Sequence, residues 1–261
     1  ERKASKAIPL ILVLAVSGLV LGIMIGIGKK KEKHTPHNLL ITLIGGILVW
    51  LGWYGFNVGS AFTFDHIAMI SFVNTVIGAS AGAFGWLIFE YILKKTTSLL
   101  GLLSGALSGL VAITPAAGYV SYMSAMIIAI IGGICCYIVI NLIKVKLQYN
   151  DALDAFGIHG VGGILGAVLT GVFQSHQINS AVQNGFIYTA DFKVVVIQLG
   201  AAIATVVFSA IVTFLIARFI KIFTPLATTQ EEDKTGLDVI VHGEKAYFYG
   251  ELNKFNRHIK F

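Results

Sequence analysis

The 261-residue chain is 56% hydrophobic and only 12% charged, with a mean hydropathy of +0.82. That much apolar surface cannot be hidden in one soluble core of ordinary composition, so the chain is expected to be a polytopic membrane protein, all α-helical. The net charge of +6 would suggest nucleic acid in a soluble domain. Here the basic residues sit at the ends of apolar runs, where membrane orientation explains them, and no nucleic-acid partner is expected.

Seven apolar runs are long enough to approach the roughly 30 Å of a bilayer core at about 1.5 Å per helical residue. They cover 7 to 28, 39 to 62, 67 to 93, 98 to 115, 120 to 143, 152 to 173 and 193 to 223. Short polar connectors separate most of them, which predicts one helical bundle over 1–223 followed by a polar tail over 224–261. The chain begins at Glu1 without a methionine, and its first run continues to a lysine cluster rather than to the small-residue end of a signal peptide. The expectation is a fragment or a processed product.

Loop charge sets the orientation. Lys29, Lys30, Lys31 and Lys33 follow the first run, Lys94 and Lys95 the third, Lys144 and Lys146 the fifth, and Arg218 and Lys221 close the seventh. Strict alternation puts all four groups on one side, expected to be cytoplasmic, with the tail. Arg2, Lys3 and Lys6 fall on the opposite side and make the first run the least secure. Cys135 and Cys136, adjacent within an apolar run, suit packing better than a disulfide or a metal site.

Helices in lipid associate through small residues and hydrogen bonds rather than hydrophobic attraction. Gly101, Gly105 and Gly109 fall four apart on one face, and the pairs Gly55/Gly59, Gly78/Gly82 and Gly162/Gly166 repeat the spacing. Each predicts a close helix contact.

In the second run, LGWYGFNVGSAF brings Trp53, Phe56 and Ser60 onto one helical face. Two aromatic faces and a hydroxyl suit a small donor cation, although spacing alone more often means an aromatic pair packed in the bundle beside a serine bonded to its own backbone. His159 is the one ionisable side chain in a glycine-rich apolar stretch, about 12 Å along a helix from Asp151 and so near mid-bilayer. An ionisable group at that depth is a functional candidate: a pore ligand, or a histidine bonded to a neighbouring helix. Asp151 and Asp154 fall in the first turn as expected caps, and Asp154 has a second possible part in orienting pore-wall backbone or steering cations. Thr114 and Pro115 end the fourth run, either as a plain terminus or as a break that aims backbone polar groups into a vestibule.

Catalytic signatures are missing. The sequence contains no GxxxxGK[ST], no HExxH, no zinc-spaced cysteine and histidine cluster and no recognisable serine triad motif. No enzyme activity, cofactor or metal is expected.

Several strings agree in order and spacing with one family. HNLL at 37–40, GWYGFNVGSAF, FVNT at 72–75, SLLGLLSGALSGLVAITPAAGYVS at 98–121, DALDAFGIHGVGGILGAVLTGVF and GLDVIVHGEKAY at 236–247 together resemble the ammonium transporter family. The resemblance covers about Gly18 to Tyr247. It implies a homotrimer of eleven-helix subunits in the plasma membrane, each with a narrow hydrophobic pore for ammonium or ammonia, and it makes this chain similar to helices 5 to 11. Trp53 and Ser60 then resemble members of an outer recruitment site, Phe56 one of two gating phenylalanines, and His159 the second of paired pore histidines. Asn57, Thr114 and Asp154 would support that path. Gly236, Leu237 and Asp238 with His242, Gly243 and Glu244 resemble the cytoplasmic regulatory segment, near which PII-type signalling proteins dock in relatives.

The chain departs from that pattern upstream. The first four or five helices are absent, and the first pore histidine would fall near Ile11, where the sequence reads AIPLILVLAVSG. Truncation, upstream recombination or an altered proton path would each account for it. The expected function is ammonium transport, with a non-conducting ammonium sensor or partner-docking protein as the alternative and a non-functional gene remnant as the third reading.

Overall fold

The computed structural model describes residues 7–25, 36, 38–147, 151 and 153–244. Among them, regular structure is entirely helical: α1 (Ala7–Ile25), α2 (Leu39–Gly59), α3 (His66–Lys94), α4 (Leu99–Ile113), α5 (Tyr122–Ile138), α6 (Lys144–Leu147), α7 (Val161–Phe173), α8 (Phe186–Thr189), α9 (Lys193–Phe223) and α10 (Gln230–Thr235). Three π-helical segments interrupt the pattern: π1 (Val139–Ile143) joins α5 to α6, π2 (Phe156–Gly160) leads into α7, and π3 (Asp238–His242) follows α10. The chain divides into two compact units, Glu1–Ala217 and Arg218–Phe261.

Among the described residues, five stretches are long and apolar enough to cross a bilayer: Leu39–Gly59, His66–Lys94, Tyr122–Leu147, Phe156–Phe173 and Lys193–Phe223. Two shorter apolar helices, Ile11–Ile25 and Leu99–Ile113, account for the first and fourth expected runs. Residues 26–28 of the first run lie outside the described residues. The second helix ends at Gly59 rather than residue 62, and the sixth run becomes helical only near Phe156 rather than residue 152.

Helix starts follow from polar residues placed just before the apolar runs. Asn38 accepts from the Leu40 and Ile41 amides, Asp65 from those of Ile67 and Ala68, Ser98 from Gly101, and Ser121 from Ser124. Each side chain satisfies amides that have no partner inside their own helix.

The α3, α4 and α5 helices pack backbone against backbone. A methyl group on Gly82 would overlap the Gly109 Cα, one on Gly109 would strike the Gly78 carbonyl, and one on Gly133 would strike that of Gly82. Gly166 lies equally close to Ala112. The contacts expected at Gly78, Gly82, Gly101, Gly105, Gly109, Gly162 and Gly166 are therefore present. Gly55 and Gly59 are a correction: nothing lies within 4 Å of where their side chains would be. The physical reason is that α2 turns an edge, not its glycine face, to the bundle, and buries only Gly46, Trp53 and Asn57.

The fourth helix stops at Ile113, and Thr114 to Val120 continues as a buried irregular segment. Non-helical backbone at that depth needs protein partners. Asn74, fully buried on α3, donates to the Ala117 and Val120 carbonyls at 2.8 and 3.0 Å. Asn179 donates to the Gly118 carbonyl and the Ser175 amide to that of Tyr119. The proline break thus leaves these carbonyls bonded within the protein rather than open to a vestibule.

Candidate functional site

The inner edge of α2 carries the site. Trp53 is 8% exposed, and its indole N–H donates to Thr114 Oγ1 at 2.7 Å. The Thr114 hydroxyl donates in turn to the Leu110 carbonyl at 2.6 Å. One turn on, Asn57 Nδ2 donates to Thr75 Oγ1 at 3.0 Å. These two bonds tie α2 to α4 and to α3, and they fix the indole's orientation. The spacing of Trp53 and Asn57 on one helical face makes both bonds possible at once.

His159 reaches Trp53 from the segment that leads into α7. It is the fourth residue of π2, half-buried, with its ring centroid 6.1 Å from that of Trp53 and the planes at 36°. Phe56 meets the same indole edge-on, at 6.1 Å and 68°. Asn57 Oδ1, buried beside these rings, makes no hydrogen bond with the described residues, and His159 Nδ1 has only a poorly aligned contact to the Ala155 backbone one turn back. A buried polar atom without a partner loses its bond to water and gains none, so both have unused capacity to bond a small polar solute.

The surroundings are apolar. Ile11, Leu110, Val111, Cys136, Ile140 and Ile158 belong to the same buried cluster as Trp53. Ile11 is 4% exposed and faces Gly163, one turn beyond His159. The position that the family resemblance gives to a first pore histidine is therefore a packed hydrocarbon side chain.

The remaining candidates are distributed differently from expectation. Ser60 is exposed at the end of α2, and its hydroxyl donates to the Phe56 carbonyl at 2.6 Å. The structure brings Trp53 together with His159, not with Ser60, because two helical turns separate the residues. Asp151 is the cap, accepting from the Ala155, Phe156 and Gly157 amides. Asp154 precedes the helix in a left-handed conformation, φ 55°, and binds the Lys144 ammonium at 2.6 Å. Its charge is thus engaged by a local partner rather than directed at a path for cations. Burial pushes the Asp154 carboxyl above its ordinary value, against the opposing pull of Lys144.

In the second unit, the two tail motifs bracket π3. Gly236 caps α10 with φ 94° and Gly243 caps π3 with φ 69°, backbone that a side chain resists. Leu237, Asp238, His242 and Glu244 are all exposed or half-exposed. Among the described residues no group of three His, Cys, Asp or Glu side chains could hold a metal ion.

Sequence reasoning passed over Glu90. This carboxylate is 4% exposed on α3, accepts from the Ser98 amide and hydroxyl, and lies 3.4 Å from Lys94 Nζ. An acid within an apolar helix is itself a signal.

A sequence profile described as Ammonium Transporter Family matches residues 12–247. The chain belongs to this family. It is 49% identical over 232 residues to an ammonium transporter of Bacillus subtilis, covering 89% of this chain and 57% of that one. An ammonium transporter of Aquifex aeolicus is 40% identical, with 89% and 54% covered. Among solved structures, Saccharomyces cerevisiae Mep2 superposes with a TM-score of 0.79 at 29% identity, over 88% of this chain and 54% of its own. A protein described as a sensor Amt protein does so at 0.78 and 27%, over 91% and 59%. This ammonium transporter family member therefore spans about half the length of the relatives it matches, and those curated relatives are named as transporters.

Proposed function

We propose that this chain forms part of an ammonium-conducting pore, with His159 as its deep polar ligand. The observation that carries the reading is the half-buried His159 ring set against Trp53, which Phe56 meets edge-on, with no well-formed hydrogen bond at its Nδ1 among the described residues. An ammonium ion in a dry passage meets a desolvation cost of tens of kcal/mol, and aromatic faces offering about 2 kcal/mol each do not offset it. The ion therefore gives its proton to water at the outer mouth before the neutral ammonia enters. In this mechanism Ser60 accepts a hydrogen bond from the ion at the outer mouth. Phe56 covers the entry, and ammonia crosses the apolar cluster by bonding to Asn57 Oδ1 and His159 Nδ1. Trp53 acts deeper than the mouth, as the rigid wall against which the imidazole is set.

The same reading includes a plasma-membrane location, a homotrimeric assembly and a cytoplasmic tail whose 236–244 segment receives a PII-type regulator. The lysine groups after alternate helices support that orientation. Ammonium flux into liposomes carrying the protein, compared with His159→Ala, tests the central assignment. A folded variant with unchanged flux rejects it, and binding of ammonium without flux in the parent favours a sensor.

A further inference from the structure

The π-helical segment that carries His159 is held at its base by one ammonium group from another helix. Lys144, in α6, donates from Nζ to the Asp151 carbonyl oxygen, and at 2.6 Å to Asp154 Oδ1. Asp151 uses both carboxylate oxygens on the chain ahead: the amides of Ala155 at 2.8 Å, Phe156 at 2.9 Å and Gly157 at 3.3 Å. Two of those three amides belong to π2 itself. From the side, Ile140 of π1 fills the space where Gly157 has no side chain, and the Cys136 thiol faces the Ile158 carbonyl at 3.8 Å. The backbone leading into His159 is thus located by Asp151, which Lys144 holds, and by Ile140 and Cys136.

Stability does not account for this arrangement. The Lys144 and Asp154 side chains are only 21% and 33% exposed, and for so largely buried a pair the desolvation cost offsets much of the Coulombic gain. Asp154 also adopts a left-handed backbone beside the ammonium, a conformation uncommon for L-residues though tolerated by Asp better than by most. A π-helical turn is itself rare, and concentrates where a side chain must be presented at a particular angle. Strain of this kind persists where the surroundings fix one geometry.

We propose that Lys144 is a positioning residue: by gripping Asp151 and Asp154 it sets the register of π2 and so the angle at which the His159 ring meets Trp53. The proposal rests on the reading of His159 as a pore ligand, but its test does not depend on transport alone. Lys144→Met, Lys144→Arg and Asp154→Asn are compared in the whole chain, by ammonium flux in liposomes and by the ring-nitrogen resonances of His159, assigned through their loss in His159→Asn. Asparagine accepts the left-handed backbone, so Asp154→Asn removes the charge without new strain.

In Lys144→Met the His159 resonances should move while the protein stays folded, and flux should fall about tenfold, the scale on which small misplacements act. Lys144→Arg should restore most of both, and Asp154→Asn should move the resonances in part. Resonances unchanged in folded Lys144→Met overturn the proposal. Should that variant not fold, unchanged resonances in Asp154→Asn overturn it instead. A parent without flux removes the pore reading, and the resonances still decide the role of Lys144.

Discussion

The indole N–H of Trp53 donates to the hydroxyl of Thr114 across 2.7 Å, and this bond is the attachment of α2 to the α4 terminus at the level of His159. Removing the acceptor leaves a buried N–H without a partner, at about 1 to 3 kcal/mol. Thr114→Val should therefore lower the melting temperature in detergent, whereas Thr114→Ser should stay close to the parent. Equal stability of the two would show that the bond is not formed.

The backbone contact of α3 with α4 leaves no room for a side chain at Gly82. Gly82→Val should separate the helices or prevent folding, since overpacking costs about 1 to 3 kcal/mol or more where backbone blocks relaxation. Gly55→Ala, with open space around it, should fold normally. Size-exclusion profiles and melting curves of the two variants check the contrast.

Asn74 holds the irregular segment after Pro115 through two carbonyl acceptors. Asn74→Leu strands both carbonyls in a buried position and should cost about 2 to 6 kcal/mol, twice the penalty for one unpaired group. Proteolysis of the Thr114 to Val120 segment should rise in step. Resistance equal to that of the parent would count against the assignment.

The pH dependence of Asp154 has a definite sign. Burial raises its carboxyl above the ordinary value, so the folded chain holds the proton more tightly than the unfolded chain does. Its contribution to stability is fully present in acid and is lost as pH rises through the raised value. Asp154→Asn should therefore be at least as stable as the parent at neutral pH, and the gap should close below the ordinary carboxylate range. Melting curves across that window test it. A variant less stable at neutral pH than in acid, relative to the parent, reverses the sign.

Much of the bundle was legible in the sequence, because long apolar runs with polar caps define helices without help from tertiary packing. The last span, 193–223, matches α9 at both ends, and the third agrees with α3 to within one residue at each end. The π segments were not legible. The first two meet where Ile140 fills the space beside Gly157, a contact between residues 17 apart that no local periodicity encodes. Asp154 was placed one turn too deep for a related reason: its backbone turns left-handed to meet Lys144, ten residues upstream. Trp53 and His159 were both singled out, but helical spacing alone grouped the tryptophan with Ser60. The partner that fixes its depth lies on another helix.

Where main chains already touch, as along α3, α4 and α5, no rotamer remains to absorb a change of volume. Any change of helix spacing is consequently left to α2, which is moored by a tryptophan, an asparagine and one glycine, with open space among the described residues beside Gly45, Gly52, Gly55 and Gly59.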